Sequence, residues 1–347
     1  MVERGWDRLA IGTIATFAWA TAGGRSYINT FDTGGVATLL YSAERVEVLT
    51  SNVEMPRLEQ DELAGLPVEY RVIDWTDMFF NGPAWIREAA GESVLAADIA
   101  IDGAVPADGL ADLRAALVPE EVLRMRALAA DTAAALEQVA RSLEPGQTEE
   151  RIAADVRAAL GDRGVLSPVT LVATDRRVFD HRHPLPTEKK LERYAMLVTS
   201  SVRHGLWCSM TRLVHFGELP AELVAKAQAC AEVDAAYIVA TTVGRTAVDV
   251  FAAGQAEYAA RGHPDEWKLH HQGGAAGYGS REYFVGGGHP YPVLAGQCFA
   301  WNPSIAGVKS EDTILATAAG PEVLTDTGDW PALATDRGID RPAILVR

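Results

Sequence analysis

Cysteine is scarce in this chain, with only Cys208, Cys230 and Cys298 among 347 residues and no CxxC spacing. A disulfide framework and a zinc ribbon are thereby excluded, and a reducing cytoplasm is the expected compartment. Basic runs are missing as well. No stretch of Lys and Arg exceeds Arg176-Arg177 or Lys189-Lys190, and 31 basic against 47 acidic residues leave a net charge of −16, which repels a phosphate backbone. No nucleic-acid partner is expected. Uncharged runs long enough to cross a bilayer are absent, so no membrane partner is expected either. The segment Leu9–Ala22, LAIGTIATFAWATA, resembles a signal peptide, but Glu3 and Asp7 spoil its basic start. It reads as a buried strand that ends in a turn at Gly23-Gly24.

What is present is ordinary for a globular protein. With 48% hydrophobic and 22% charged residues the chain can bury real cores, and its length predicts two domains. From Arg8 to about Ile101 short apolar runs alternate with turn signals, as in a compact α/β domain, with helices expected at Pro56–Leu66 and Pro83–Ala90. The Gly- and Pro-punctuated stretch Asp102–Pro119 reads as the link, with a boundary near Val118. Beyond it, an apolar stripe predicts a helix over Pro119–Leu143. Thr148 caps the next helix, which leaves at Gly161, and two more are expected over Ala221–Val243 and Ala247–Arg261. Strands are expected at Tyr194–Ser201, Leu206–Val214, Phe299–Ile305 and Thr313–Ala318.

Several segments put polar residues where a buried sheet would be apolar. They are Asp180-His181-Arg182-His183, Ser209-Met210-Thr211-Arg212, His270-His271-Gln272-Gly273-Gly274, Trp301-Asn302-Pro303 and Lys309-Ser310-Glu311-Asp312. Their side chains could converge on one sheet face. His181 and His183, two apart on an extended segment, face the same side and could hold one zinc or iron with His270 or Glu311. Cys208 beside Ser209 could be a nucleophile, although a lone cysteine in a strand is more often packing. HHQGGAAGYG is not a phosphate loop, because it lacks the Lys-Ser/Thr ending.

In order and neighbours these segments resemble the M24 family of creatinase, prolidase and aminopeptidase P-like proteins, which share the pita-bread fold. The resemblance runs through FAWATAGGRSYIN, SNVEMPRLEQDEL, LEPGQTEERIAADV, HRHPLPTEKKL, GLWCSMTRLVHFGELP, HHQGGAAGYGSRE, CFAWNPSI and SEDTILATAAGPEVLT. It implies an α+β chain, with a creatinase-like N-terminal α/β domain over 1–118 and a pita-bread catalytic domain over 119–347. The family's metallopeptidases hold two divalent ions with Asp, Asp, His, Glu and Glu. Here the first position, around Val198–Ser200, has no carboxylate, and Ser209, Gly274 and Asn302 stand at the next three. Glu311 alone is retained, so neither a metal nor another cofactor is expected.

What remains resembles creatinase, which works on this fold without metal. By that resemblance His183 is the expected acid/base, with His270 and Glu311 as further catalytic candidates. His181, Ser209, Arg212, His271, Tyr278, Arg281 and Asn302 are the expected substrate contacts, and Arg281-Glu282 resembles the pair that holds creatinase's substrate carboxylate. The expected function is a metal-independent hydrolase or lyase that cleaves a carbon–nitrogen bond of a small polar, amino-acid-derived substrate. Neutral residues at the lost ligand positions, next to Arg212 and Arg281, make that substrate anionic or zwitterionic. Two alternatives stand beside it. One is a catalytically silent binding protein, as among metal-free relatives in eukaryotic growth and chromatin factors, and the other is the single-metal enzyme built on His181 and His183. Family habit implies a homodimer.

Overall fold

The structure, a computed structural model, describes residues 1–286, 288 and 290–347. It separates into two compact units, Met1–Arg114 and Ala115–Arg347.

The first unit is built on a six-stranded mixed sheet. Its strands are β1 (Arg8–Thr13), β2 (Gly34–Tyr41), β3 (Val46–Ser51), β4 (Glu69–Ile73), β5 (Leu95–Ala97) and β6 (Val105–Pro106), in the order β4-β3-β2-β1-β5-β6. The expected strand Leu9–Ala22 holds only as far as Thr13, after which the chain turns into helix α1 (Ile14–Ala20). Thr13 explains the change. Its hydroxyl accepts the Thr16 N–H, starting a helix, and donates to the Asp98 carboxylate at 2.5 Å. The expected helix at Pro83 begins about two turns earlier, as α2 (Trp75–Ala90), and ends at Gly91, whose φ of +69° suits glycine. Near Pro56 there is only a short turn, Met55–Arg57, followed by a π-type turn at Leu58–Glu62. The supposed link contains β6 and a short helix, Leu110–Arg114.

The second unit packs helices against two sheets. A four-stranded sheet comprises β7 (Leu166–Thr174), β8 (Tyr194–Arg203), β9 (Leu206–His215) and the short strand Leu345–Val346. The other sheet has the order β11-β10-β12-β15-β16, from β10 (Gly273–Ala276), β11 (Tyr283–Phe284), β12 (Cys298–Trp301), β15 (Asp312–Thr317) and β16 (Gly320–Val323). The expected strand Phe299–Ile305 is interrupted by Asn302-Pro303, because proline cannot donate to a ladder. Past the break the chain forms a small hairpin of β13 (Ser304–Ile305) and β14 (Val308–Lys309).

Four long helices flank the sheets, α3 (Pro119–Ser142), α4 (Glu149–Gly161), α5 (Ala221–Ala240) and α6 (Ala247–Ala260). Thr148 caps α4 as its position predicts, accepting the Arg151 N–H at 3.1 Å. Helices α5 and α6 meet closely because Gly254 carries no side chain. A Cβ there would lie 2.0 Å from the Tyr237 ring. Tyr237 in turn stacks on Trp301 at 4.9 Å, and Trp301 on Phe299, which ties the helix pair to β12.

Candidate active site

Three segments distant in sequence meet beside a cavity of about 520 Å³ in the second unit. The first is the loop between β7 and β8. Asp175 opens it with φ +50°, a conformation that costs a non-glycine residue about 1–3 kcal/mol. Its carboxylate compensates by accepting the N–H groups of Glu192, Arg193 and Tyr194 at 2.8–3.0 Å and the Lys189 ammonium at 3.1 Å. Burial alone would raise the Asp175 carboxyl, but these donors hold it below the usual carboxylate range. The loop is also pinned from inside. Glu149, fully buried at the start of α4, accepts from the Thr174 N–H (2.7 Å), the Thr187 N–H (3.0 Å) and hydroxyl (2.7 Å), and Arg177 (3.0 Å). Between these anchors His183 stands with its ring exposed at the cavity wall.

The second segment follows the turn Glu266–Leu269, where His270 takes an extended conformation and its ring is buried. The third is Asn302–Ser304, at the break after β12. Hydrogen bonds lock the two together. The Tyr258 hydroxyl donates to Gln272 Oε1 (2.9 Å) and receives the Ser304 N–H (2.9 Å), while Gln272 Nε2 donates to the His270 carbonyl (2.6 Å). Arg182, ion-paired with Glu266, donates to Ser304 Oγ at 2.9 Å, and that hydroxyl lies 3.2 Å from His270 Nδ1.

The product of this scaffolding is a cluster of three imidazoles. His183 Nε2 and His270 Nε2 are 3.0 Å apart, and His271 stacks at an angle on both rings. The Asn302 amide nitrogen lies 3.3 Å from His270 Nε2 and 3.5 Å from His271 Nδ1. Burial disfavours the charged imidazolium in all three, and the Lys309 charge adds to the effect. His270 is held far below its ordinary value, and His271 is pushed down to about 4 with Arg281 contributing. All three rings are therefore biased toward the neutral form.

A second cluster lies next to the first. Glu311 Oε2 receives the Lys309 ammonium at 2.7 Å and the Thr211 hydroxyl at 2.7 Å, and its Oε1 faces Arg281 Nη2 at 3.4 Å. Burial alone would raise the carboxyl, but Lys309 and Arg281 together hold it below the usual range. Arg281 Nη1 also reaches Ser209 Oγ at 3.3 Å, which pairs with Ser200 Oγ at 2.8 Å. The Nε of Arg281 is buried without a partner.

The predicted residues thus fall into groups. His183, His270, His271 and Asn302 come together, and Glu311, Ser209 and Arg281 form the adjacent ion cluster. Arg212 and Tyr278 join neither. Arg212 is buried with its donors directed to Glu137, Asp312, Thr211 O and Thr325 O, so it is a structural tie between α3 and β15. The Tyr278 hydroxyl donates to Glu121 at 2.6 Å and receives from Arg124, both on α3. His181 is exposed and does not line the cavity, because His183 reaches the cluster from a closed loop rather than from a strand. The pair proposed for a single metal is therefore not assembled. Burial pushes the Cys208 thiol up to about 12, which leaves it an unreactive packing group. Sequence reasoning missed Glu149, Tyr258, Ser304 and the pairing of Lys309, although Arg182 and Lys309 stood in segments already marked by their polarity.

Comparison with known proteins agrees with this architecture. The model of metallopeptidase family M24 matches residues 124–318. The chain belongs to metallopeptidase family M24. A solved Xaa-Pro dipeptidase from Bacillus anthracis superposes with a TM-score of 0.78 at 18% identity, covering 100% of this chain and 96% of that one. The prolidase from Pyrococcus horikoshii OT3 gives 0.80 at 17% identity, covering 94% and 96%. The N-terminal domain of the FACT complex subunit SPT16 from chickpea, Cicer arietinum, gives 0.70 at 14% identity, covering 94% and 92%. At such identities the likeness is one of fold, the pita-bread architecture with its N-terminal domain. No curated protein matched the sequence. M24 membership supports a hydrolase-type enzyme, and no helix among the described residues is long and apolar enough to cross a membrane.

Proposed function

We propose that this M24 protein hydrolyses a carbon–nitrogen bond of a small, amino-acid-derived acid without the family's pair of metal ions. The observation that carries the reading is the state of Glu311, the one carboxylate at the five ligand positions, which is already engaged by Lys309 and Arg281. The other positions fit a dinuclear centre no better. Ser209 and Asn302 are neutral, and a Cβ on Gly274 would lie 2.0 Å from the Tyr283 carbonyl oxygen, because β10 pairs with β11 there. No side chain, still less a histidine, can project from that backbone. Two divalent ions would find one carboxylate, and that one is neutralised.

The chemistry then falls to His183, on the cavity wall with Nε2 bonded to His270. In the proposed step His183 takes a proton from water as the water oxygen attacks the carbon. The C–N bond breaks, a C–O bond forms, and the proton passes to the leaving nitrogen. Ser304, tied to Arg182, orients His270 and through it the His183 ring. The substrate's acid group would be held by N–H donors of the imidazoles and by Lys268, whose ammonium also pairs with Asp265 at 2.7 Å, while Arg182 on the same wall is committed to Glu266 and Ser304. Three buried free thiols suit the reducing cytoplasm.

The test is a mass-spectrometric screen of a metabolite extract incubated with EDTA-treated protein. Substrate loss that His183→Ala abolishes supports the reading. Turnover only after two manganese ions bind overturns it, and ligand binding without turnover in any condition makes the protein a binding module.

A further inference from the structure

We propose that His183, His270 and His271, joined by the Asn302 amide, form a site for a single borderline divalent cation such as Zn²⁺. Apart from Asn302, this site uses none of the five family positions. It also differs from a pair built on His181.

The geometry is that of a tripod. One ligand atom from each histidine lies within 4.8 Å of the others. The ring centres are 4.8, 5.4 and 4.6 Å apart. An ion bound ~2.1 Å from an imidazole nitrogen sits ~3.2 Å from the ring centre, and a triangle of these sides lets one point lie at that distance from all three. Asn302 supplies an independent sign. Its Oδ1 is buried without a partner while its Nδ2 faces two imidazole nitrogens. The two ends of an amide have the same shape, and turning it by half a rotation aims the carbonyl oxygen at the cluster as a fourth donor.

Ligand chemistry selects the ion. Three neutral nitrogens and one amide oxygen suit zinc, cobalt or copper, whereas magnesium and calcium require more oxygen ligands. Ser304 Oγ, 3.2 Å from His270 Nδ1, can accept that N–H and leave Nε2 free for the metal, the outer support usual for a ligating histidine. His183 and His271 are exposed on the cavity side, so an added ion keeps an open position there. The Lys309–Glu311–Arg281 cluster carries one net positive charge nearby, which lowers the affinity for a cation relative to the same ligand set without it.

This inference does not depend on the acid–base reading above. Under that reading the ion replaces the hydrogen bond between His183 Nε2 and His270 Nε2 and draws electron density from the His183 ring, so the loaded protein is the inhibited form.

The experiment is calorimetric titration of EDTA-stripped protein with ZnCl₂, together with the visible spectrum of the Co²⁺ form. One ion per chain is expected, with a four- or five-coordinate cobalt spectrum. Affinity should drop at least about tenfold in His183→Ala and in His271→Ala, both of which alter exposed side chains, and stay unchanged in His181→Ala. Absence of zinc binding, or binding that survives the His183→Ala/His271→Ala double variant, overturns the site. Turnover confined to the zinc form would instead sink the metal-free mechanism and leave the site standing.

Discussion

Lys309 decides the chemistry available to Glu311. Both side chains are nearly inaccessible, and the ammonium 2.7 Å from the carboxylate already neutralises one of its oxygens. Removing it as Lys309→Met leaves a buried carboxylate with Arg281 as its remaining cation, and the loss of one partner of such a pair costs about 3–5 kcal/mol. Urea unfolding at pH 7 measures this, and a cost below about 1 kcal/mol would show that the pair is dispensable. The pH dependence has a definite sign. Glu311 and Asp312 have folded-state values below their ordinary ones, Asp312 because Arg212 and Arg341 outweigh the effect of burial. Their stabilisation is therefore complete above an unfolded-state value of about 4 and is lost as acid protonates them in the fold. Thermal midpoints should decline on acidification below about pH 5. A rise in stability between pH 5 and pH 3 would contradict the assignment.

At the scale of the element, the loop from Asp175 to Tyr194 is the part most specific to this site, and Glu149 is its internal anchor. Glu149→Ala strips acceptors from two N–H groups, two hydroxyls and Arg177, and unsatisfied buried donors cost about 1–3 kcal/mol each. Amide exchange should therefore accelerate across residues 181–189 while α5 and α6 keep their protection. Uniform acceleration throughout the second unit would mean that Glu149 supports the whole core instead. The limits of the helix Glu149–Gly161 were legible from sequence because its cap at Thr148 and its stop at Gly161 are local signals, whereas the starts expected at Pro56 and Pro83 were not those of the fold. The turn from strand to helix at Thr13 was not. Its signal is a hydrogen bond to Asp98, 85 residues away, and an uncharged run of LAIGTIATFAWA reads equally as strand. Likewise the segments holding His183, His270 and Asn302 stood out by their polarity, but their partners did not. Whether Arg212 faces a substrate or Glu137 depends on packing between α3 and β9, which no local pattern encodes.

At the scale of the whole molecule, the M24 architecture carries Ser209, Gly274, Asn302 and an ion-paired Glu311 at the positions where the proposed reading places the family's ligands. The aromatic stack of Tyr237, Trp301 and Phe299, the close α5–α6 approach at Gly254 and the Arg212–Asp312–Arg341 ion chain belong to the scaffold. Gly254→Ala should destabilise it by about 1–3 kcal/mol through overpacking against Tyr237, without altering zinc stoichiometry. Xaa-Pro dipeptides should not be cleaved even with added manganese, because Ser209, the side-chain-free Gly274 and Asn302 cannot bind the ions that generate a bridging hydroxide. The most direct measurement is elemental analysis of protein equilibrated with excess Mn²⁺, Co²⁺ or Zn²⁺ and then desalted. The account predicts no bound manganese and at most one zinc or cobalt ion per chain, retained by Glu311→Gln and lost with His183 and His271. Two ions per chain that disappear in Glu311→Gln would contradict it.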